Sequence, residues 1–367
     1  MADRGACCLP ALLPDDVLAD VLRRLPPRHL AACRCACRAW RGVVDSRRLL
    51  RADLLPRSLA GVLINFHGYG VTELFSPRPS PADVAVDGKH DYFPGRASIR
   101  SWSHVVHHCN GLLLVGGLHL HVLNPATRWW TALPPCPPPT MDAMSCHDEY
   151  LAYDPAVSPS FEVVSIPRVY RERSRCRLDP TIALSEWPPS PFVLHVFSSS
   201  STTARWERRS FVREGEAAGI VAAMEMMYGT QEGHAVYWRG ILYVNSQDGF
   251  LMRMSLSDAT YQVIKPPLHN EGDVYYLDIH LGKSEKGVYC ALIDGYRLRV
   301  WILDESHRKM EWVLTHDSCL LEWFYKEKPD KNVRGPWILQ QLNYYYNDRN
   351  KDDNSEVSED EKFEWNS

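Results

Sequence analysis

The feature that most constrains the fold is a change of sequence period near residue 56. From about residue 59 onward, short runs of aliphatic, β-branched and aromatic residues alternate with Gly, Asn, Asp and Pro. Residues 111–115, 118–123 and 127–130 are three such runs in succession. Because this pattern is typical of short strands joined by tight turns, we expect a mainly β domain over most of the chain.

The strand pattern recurs along the sequence. Residues 235–238, 241–244 and 252–256, followed by Tyr261, repeat the series that begins at 111, and both series end in Pro-Pro. Weaker copies occur at 151–154 with 161–166, 194–197 with 205–207, and 298–303 with 311–313, and a lead-in strand is expected at 59–66. A single unit of about 30 to 55 residues cannot bury both of its faces. The repeats therefore predict a β-propeller-like domain of about six blades.

The first part of the chain has the period of helices instead. Pro14 suits a helix start, and Asp15 and Asp16 lie where the helix dipole favours negative charge. The stripe of the first helix comprises Val17, Leu18, Val21, Leu22 and Leu25, and Pro26 ends the run. A second short helix should contain Leu30, Cys33 and Cys37, and a third Trp40, Val43 and Val44.

Three short helices of about 40 residues form a marginal unit without a metal, a disulfide or a partner. Burial of the five aliphatic side chains of the first helix would contribute on the order of 10 kcal/mol before association costs. We therefore expect a second polypeptide to cover part of this apolar surface.

These residues also carry a family resemblance. Residues 13–26 read LPDDVLADVLRRLP and residues 33–41 read CRCACRAWR, with a leading Leu-Pro, an aliphatic helix, a second Leu-Pro and a Cys-Arg-x-Trp ending. The segment resembles an F-box, which implies binding to a Skp-family adaptor and, through it, to the cullin and RING subunits of a ubiquitin ligase. The β-domain is similar to that of the large plant-type F-box family, whose associated domain is related to kelch-like propellers.

The residue patterns and the resemblance together lead us to expect the following domains and adaptor-binding residues. The expected parts are a disordered segment 1–8, an F-box at 9–55, a substrate-binding β-domain at 56–346 and a disordered acidic tail at 347–367. The expected adaptor-binding residues are Leu13, Pro14, Val17, Leu18, Val21, Leu22, Leu25, Pro26, Leu30, Cys33, Cys37, Arg38 and Trp40. An unknown protein target is expected on the β-domain.

No enzyme motif is found in the sequence. There is no Gly-x-Ser-x-Gly elbow, His-Glu-x-x-His pair, phosphate-binding loop or dinucleotide glycine pattern, so we expect a receptor without catalytic residues or cofactor. A metal site is not expected either. Cys33, Cys35 and Cys37 are one candidate, but on a helix Cys35 points away from the other two. His104, His107, His108 and Cys109 are another, but on a strand His107 and Cys109 lie on one face and His108 on the other.

Charge and cysteine content favour a reduced intracellular protein. The net charge of -4 gives no reason to expect nucleic acid, and the arginines between Arg23 and Arg57 are interpreted as a solvated helix face. The 11 cysteines, without a signal peptide or an apolar stretch of bilayer length, predict a cytoplasmic or nuclear location and no membrane partner. Ser355 and Ser358, among the tail acids, are candidate phosphorylation sites.

Two alternative functions stay open, a scaffold that does not join a ligase and a propeller that binds glycans or metabolites. Exposed aromatic residues are candidates for the target surface, although a core position is expected for Trp129, Trp206 and Trp312 because they recur at matching places in the repeats. The aromatic candidates are Trp129, Trp130, Trp187, Trp238 and Tyr344, Tyr345 and Tyr346.

Overall fold

The structure is a computed structural model. It describes residues 14–25, 30, 33–34, 37–47, 49, 61–66, 72–77, 104–117, 119–125, 127–138, 146–168, 180–201, 203–223, 234–246, 250–267, 279–306, 310–321 and 337–339. The predicted disordered segments, 1–8 and 347–367, lie outside these residues. Among the described residues, no helix is long and apolar enough to cross a bilayer.

The N-terminal module is helical, as predicted. Helix α1 spans Asp15–Arg23 with Pro14 at its N-cap, and helix α2 spans Arg38–Ser46. Between them, Leu30, Cys33 and Arg34 are also helical. Six side chains of this module form one buried cluster, namely Leu18, Ala19, Leu22, Leu30, Val43 and Val44. The module therefore has a small core of its own.

The rest of the described chain is almost entirely antiparallel sheet. One four-stranded unit comprises β3 (His104–Cys109), β4 (Leu112–Gly116), β5 (His121–Asn124) and β6 (Trp129–Ala132). The next comprises β7 (Cys146–Ala152), β8 (Glu162–Arg168), β10 (Phe192–Ser198) and β11 (Trp206–Arg213). Short pieces accompany the second unit: helix α3 (Pro180–Ala183), β9 (Glu186–Trp187), β12 (Gly219–Ile220) and a 3-10 turn (Val221–Ala223).

Two further four-stranded units follow in the chain. They are β13 (Ala235–Trp238), β14 (Ile241–Ser246), β15 (Phe250–Ser255) and β16 (Thr260–Ile264), and then β17 (Ile279–Lys283), β18 (Val288–Asp294), β19 (Arg297–Asp304) and β20 (Glu311–Cys319). A parallel pairing of β11 with β16 joins the second and third units into one eight-stranded sheet. The mainly β fold class is therefore confirmed.

The first and last strands of the domain lie in one sheet. Strands β1 (Val62–Asn65) and β2 (Thr72–Pro77) pair with each other, and β2 also pairs with β21 (Trp337–Leu339). The amide of Asn65 donates to the carbonyl of Val105 at 2.8 Å, which links this sheet to β3. The ends of the domain thus close on each other, as in a propeller, and the described residues form five such sheet units where about six were expected.

The first strands of the four-stranded units lie together. Strand β3 packs against β7 and β13, and β13 packs against β17. Corresponding tight turns also recur, because Asn110-Gly111 joins β3 to β4 and Arg239-Gly240 joins β13 to β14, with positive φ at all four residues. Equivalent inner strands and equivalent turns make the domain propeller-like.

Two tryptophans connect successive units at their fourth strands. The indole of Trp206, on β11, donates to the carbonyl of Pro134 just beyond β6, at 2.8 Å. The indole of Trp312, on β20, donates to the carbonyl of Lys265 just beyond β16, at 3.0 Å. These matching bonds explain why a tryptophan recurs at this place in the sequence repeats.

A single imidazole joins three of the inner strands. His107 on β3 accepts the backbone N–H of Leu151 on β7 at its Nδ1, 3.0 Å away. Its Nε2 lies 2.9 Å from the carbonyl of Ala235, the first residue of β13, and therefore donates to it. Both ring nitrogens are used only in the neutral ring with its proton on Nε2, and burial lowers the pKa of His107 to about 4.

We predict that His107 makes the stability of the β-domain pH-dependent. Its pKa of about 4 in the folded chain lies below the ordinary 6.5, so between these pH values the unfolded chain binds more protons than the folded one. The contribution of His107 to the free energy of unfolding is therefore fully present above pH 6.5 and is lost as the pH falls towards 4. The full loss corresponds to about 3 kcal/mol. Urea unfolding measured at several pH values checks this.

A substitution separates His107 from the other titrating groups. His107→Leu leaves the Leu151 N–H and the Ala235 carbonyl without this partner and should cost about 2 to 4 kcal/mol at pH 7. It should also flatten the pH dependence between 4 and 6.5. The control His119→Gln, at an exposed histidine, should change stability by less than about 0.5 kcal/mol. An unchanged pH slope in His107→Leu would contradict the assignment.

Candidate adaptor-binding surface

Helix α1 has two neighbouring apolar stripes, offset by one residue and therefore by about 100° around the helix axis. Leu18 and Leu22 are only 3% and 1% exposed and pack into the module's own core, whereas Val17 and Val21 are 46% and 51% exposed. The two pairs have the same four-residue spacing, so each lies along one side of the helix. Sequence period alone did not separate the stripe that holds the module together from the stripe that is available to a partner.

The predicted adaptor-binding residues are accordingly divided between interior and surface. Leu18, Leu22 and Leu30 are buried, Leu25, Cys33, Cys37 and Trp40 are half-buried, Pro14, Val17, Val21 and Arg38 are exposed, and Leu13 and Pro26 lie outside the described residues. The buried residues support the surface rather than form it. Their role in adaptor binding stays a prediction, in which direct contact falls to the exposed members.

Cys37 has a different local role from the predicted one. We expected it on the second helix beside Cys33, but its backbone is extended, with φ -159° and ψ 166°. Its Sγ accepts the backbone N–H of Trp40 at 3.5 Å, so Cys37 caps the start of α2. The extended backbone and the cap, which helical period does not reveal, account for the difference.

Ion pairs within the module occupy several of its arginines. Arg34 binds Asp45 through two bonds, Nε to Oδ1 at 2.6 Å and Nη2 to Oδ2 at 3.1 Å, and this pairing lowers the pKa of Asp45. Arg47 pairs with Asp16, and Arg23 with Asp20. These pairs are at least one-third exposed, so each contributes little stability. The interpretation as a solvated charged face fits them.

Arg38 is an exception among the predicted adaptor contacts. Its Nε donates to the carbonyl of Ala156 at 3.0 Å and its Nη2 to the carbonyl of Val157 at 2.8 Å. Both acceptors lie in the turn between β7 and β8 of the β-domain. The guanidinium of Arg38 therefore attaches the helical module to the β-domain, and its contact with the adaptor stays a prediction.

The aromatic candidates of the β-domain separate by burial. Trp187 is buried, and Trp130 and Trp238 are half-buried. Trp129 is 45% exposed, so its predicted core position is wrong. It lies at the start of β6, which has no further strand beside it within the described ranges. Trp206 and Trp312 are half-buried and pack against core clusters, in accordance with the prediction. Tyr344, Tyr345 and Tyr346 lie outside the described residues.

The histidines near β3 have the orientation expected of a strand. His107 and Cys109 are buried and His108 is exposed, while His104 is half-buried. The thiol of Cys109 and the amide of Asn110 both donate to the carbonyl of Tyr153, at 3.2 and 2.6 Å. Within the described part of the chain, no group of three or more His, Cys, Asp or Glu residues could hold a metal ion.

Comparison with known protein families identifies the helical module. The F-box domain model matches residues 11–52. Two proteins of Arabidopsis thaliana whose names assign them to the F-box proteins are similar to this chain. At1g32420 is 22% identical over 174 residues, 45% of this chain and 54% of its own length. At5g52610 is 25% identical over 169 residues, 43% of each chain.

Comparison with solved structures adds no argument. The chain resembles apo AztD from Citrobacter koseri with a TM-score of 0.32 and 12% identity, covering 71% of this chain and 59% of that one. It resembles the GH43 protein BlXynB from Bacillus licheniformis with a TM-score of 0.31 and 10% identity, covering 60% and 42%. These scores are too low to support a conclusion about fold or activity.

The family assignment thus rests on the module match and on the two plant relatives. The matched part of this chain spans only about half the length of these relatives. The helical boundaries, the capped α2 and the small core agree with the matched range. Residues 11–52 are therefore an F-box domain, and the chain is homologous to plant F-box proteins.

Proposed function

We propose that this chain is the substrate-recognition subunit of an E3 ubiquitin ligase of the Skp, cullin and F-box type. The observation that carries the proposal is the exposed stripe of Val17 and Val21 on α1 of an F-box domain. A helix that already seals its inner stripe has no intramolecular reason to present two further aliphatic residues. A Skp-family adaptor is the partner that this family of modules takes.

The two exposed valines alone bury too little apolar surface to hold an adaptor. Only about half of each valine is still exposed, so burying the rest of both contributes roughly 1.5 to 3 kcal/mol, which association costs more than offset. A stable complex therefore needs further contacts, and the half-buried Leu25 and Trp40 are the nearest candidates in this proposal. The cullin and RING subunits join through the adaptor and make no direct contact with α1.

In this proposal the chain positions the target relative to the ligase and supplies no catalytic groups. The F-box, over residues 9–55, holds the ligase machinery, and the propeller-like domain, over residues 56–346, holds a protein target. Keeping a target lysine near the charged ubiquitin carrier raises its effective concentration, which accelerates transfer without an acid, base or nucleophile from this chain. We place this activity in the cytoplasm or the nucleus, where such ligases act.

The exposed stripe can be tested with charged substitutions. Val17→Asp combined with Val21→Asp should abolish co-purification with a Skp-family adaptor, because two carboxylates would be desolvated in the interface. The control Val212→Asp changes an equally exposed valine on β11 and should leave co-purification intact. Pull-down followed by quantitative mass spectrometry is the measurement.

Two further results decide how this test is interpreted. Circular dichroism of the double variant should match the unchanged protein, because both valines are already solvent-exposed. Leu22→Asp, by contrast, should lose adaptor binding together with helical signal, since it places a charge in the module's core. Adaptor binding at full strength in the folded double variant would refute the proposed surface.

The attachment through Arg38 gives a second prediction. Arg38→Ala removes both bonds to the β7–β8 turn, so the helical module should become mobile relative to the β-domain. With spin labels at the exposed positions 24 and 216, double electron–electron resonance should show a broader distribution of label-to-label distances in Arg38→Ala than in the unchanged protein.

The matched control for Arg38 is Arg23→Ala, which removes only an exposed pair within α1. It should leave the distance distribution narrow. Ubiquitination of a target should slow in Arg38→Ala while adaptor binding persists, because the bonds position the domains and do not form the adaptor surface. An equally narrow distribution in both variants would show that Arg38 does not fix the orientation.

A further inference from the structure

The turns that join the inner strands of the four sheet units to their second strands meet at one end of the β-domain. The amide of Asn110, in the β3–β4 turn, donates to the carbonyl of Tyr153, which follows β7, at 2.6 Å. The Nζ atom of Lys283, the last residue of β17, donates to the amide oxygen of Asn110 at 3.0 Å and to the carbonyl of Tyr237 on β13 at 2.6 Å. Each of the four units therefore contributes one residue to this hydrogen-bond network.

This end of the domain presents an open polar surface. We call it the inner-turn face and define it by two turns, Asn110-Gly111 and Arg239-Gly240, together with Lys283. The side chains of its asparagine, arginine and lysine are all exposed. A Cβ added to either glycine would meet no atom within 4 Å beyond its chain neighbours in the described part of the chain. Space above both turns is thus open to a ligand.

The charge of Lys283 is not balanced by an acidic partner among the described residues. Both of its hydrogen-bond acceptors are neutral, one an amide oxygen and the other a main-chain carbonyl. Asp154 and Glu285, the acids of the adjoining turns, do not form an ion pair with it. An ammonium group has three N–H donors, so one is left for a further acceptor.

Arg239 adds a second cation to the inner-turn face. It follows Tyr237, whose carbonyl binds Lys283, by two residues, so the two Cα atoms of this segment are at most about 7 Å apart. Its guanidinium lies over the indole of Trp238, with Cζ 4.4 Å from the ring centroid. This stacking holds the charge at the surface and leaves the N–H groups at the edge of the guanidinium to solvent.

The inner-turn face is also close to the attachment of the helical module. Arg38 donates to the carbonyls of Ala156 and Val157 in the β7–β8 turn. That turn begins at Tyr153, which accepts the amide of Asn110 and precedes Ala156 by three residues. A ligand on the inner-turn face would therefore lie at the same end of the β-domain as the F-box.

We propose that the inner-turn face is the target-binding surface and that it takes an acidic segment of the target protein. A carboxylate of the target accepts the remaining N–H of Lys283, and a second carboxylate pairs with Arg239. The two cations belong to different sheet units on an open surface, which a segment with several carboxylates can span. This inference rests on the proposed function and extends it by naming where the target binds and which charge it carries.

The first experiment measures binding of a fluorescein-labelled peptide of four Asp-Gly repeats to the full chain by fluorescence anisotropy. Low salt is used because it leaves exposed charge pairs least screened. Lys283→Gln should weaken binding about fivefold, the size expected of one exposed ion pair, and Lys283→Arg should retain most of the affinity. Arg239→Gln should weaken binding about two- to threefold.

The matched control is Lys265→Gln, which removes the same charge from an exposed lysine just beyond β16. It should change the affinity less than about twofold, because this lysine lies outside the inner-turn face. A peptide of four Asn-Gly repeats with the same label should bind more weakly, and equally to all variants. Equal affinity of the two peptides for the unchanged chain would overturn the proposal, as would equal effects of Lys283→Gln and Lys265→Gln.

The comparison uses only variants whose circular dichroism and thermal unfolding match the unchanged protein. If Lys283→Gln fails this criterion, Arg239→Gln takes its place, and an affinity equal to that of Lys265→Gln would overturn the proposal in the same way. Co-purification with a Skp-family adaptor separates this inference from the proposed function. Lys283→Gln should keep the adaptor, whereas Val17→Asp combined with Val21→Asp should lose the adaptor and keep the Asp-Gly peptide.

Discussion

The β-domain depends on inner strands that approach one another closely enough for one side chain to join three of them. His107 makes this possible because both of its ring nitrogens are satisfied by main-chain groups, one from β7 and one from β13. The same arrangement keeps water away from the ring and disfavours binding of a second proton. Lys283, at the end of β17, extends the connection, since its ammonium donates to Asn110 and to the carbonyl of Tyr237 at 3.0 and 2.6 Å. Polar bonds, rather than apolar contacts alone, thus set how the sheet units meet.

The F-box is limited instead by its small size, which leaves room for only a small core. Its core of six buried side chains uses the inner stripe of α1, so the outer stripe can be apolar only at the cost of exposing Val17 and Val21. In the proposed function this cost is offset when an adaptor covers the two valines. Under the proposed function, this division separates two kinds of substitution: those in the core disrupt the fold, and those on the outer stripe weaken adaptor binding.

Much of this organisation could be predicted from the sequence. The helix at Asp15–Arg23, the strands near Leu112, Ile241 and Arg297, and the recurrence of Trp206 and Trp312 follow from period and turn residues. Long-range contacts could not be predicted. Nothing in the sequence near Arg38 indicates an acceptor 118 residues away. Helical period gave the apolar residues of α1 but not which stripe was internal, because both pairs share one spacing.

Arg38 binds main-chain carbonyls of the β7–β8 turn and no side chain there. Every residue type supplies the same carbonyl oxygen, so the identities at positions 156 and 157 can change through evolution while the anchor persists. If the chain acts as the proposed receptor, sequence change in this turn therefore leaves the distance between the F-box and the β-domain unchanged.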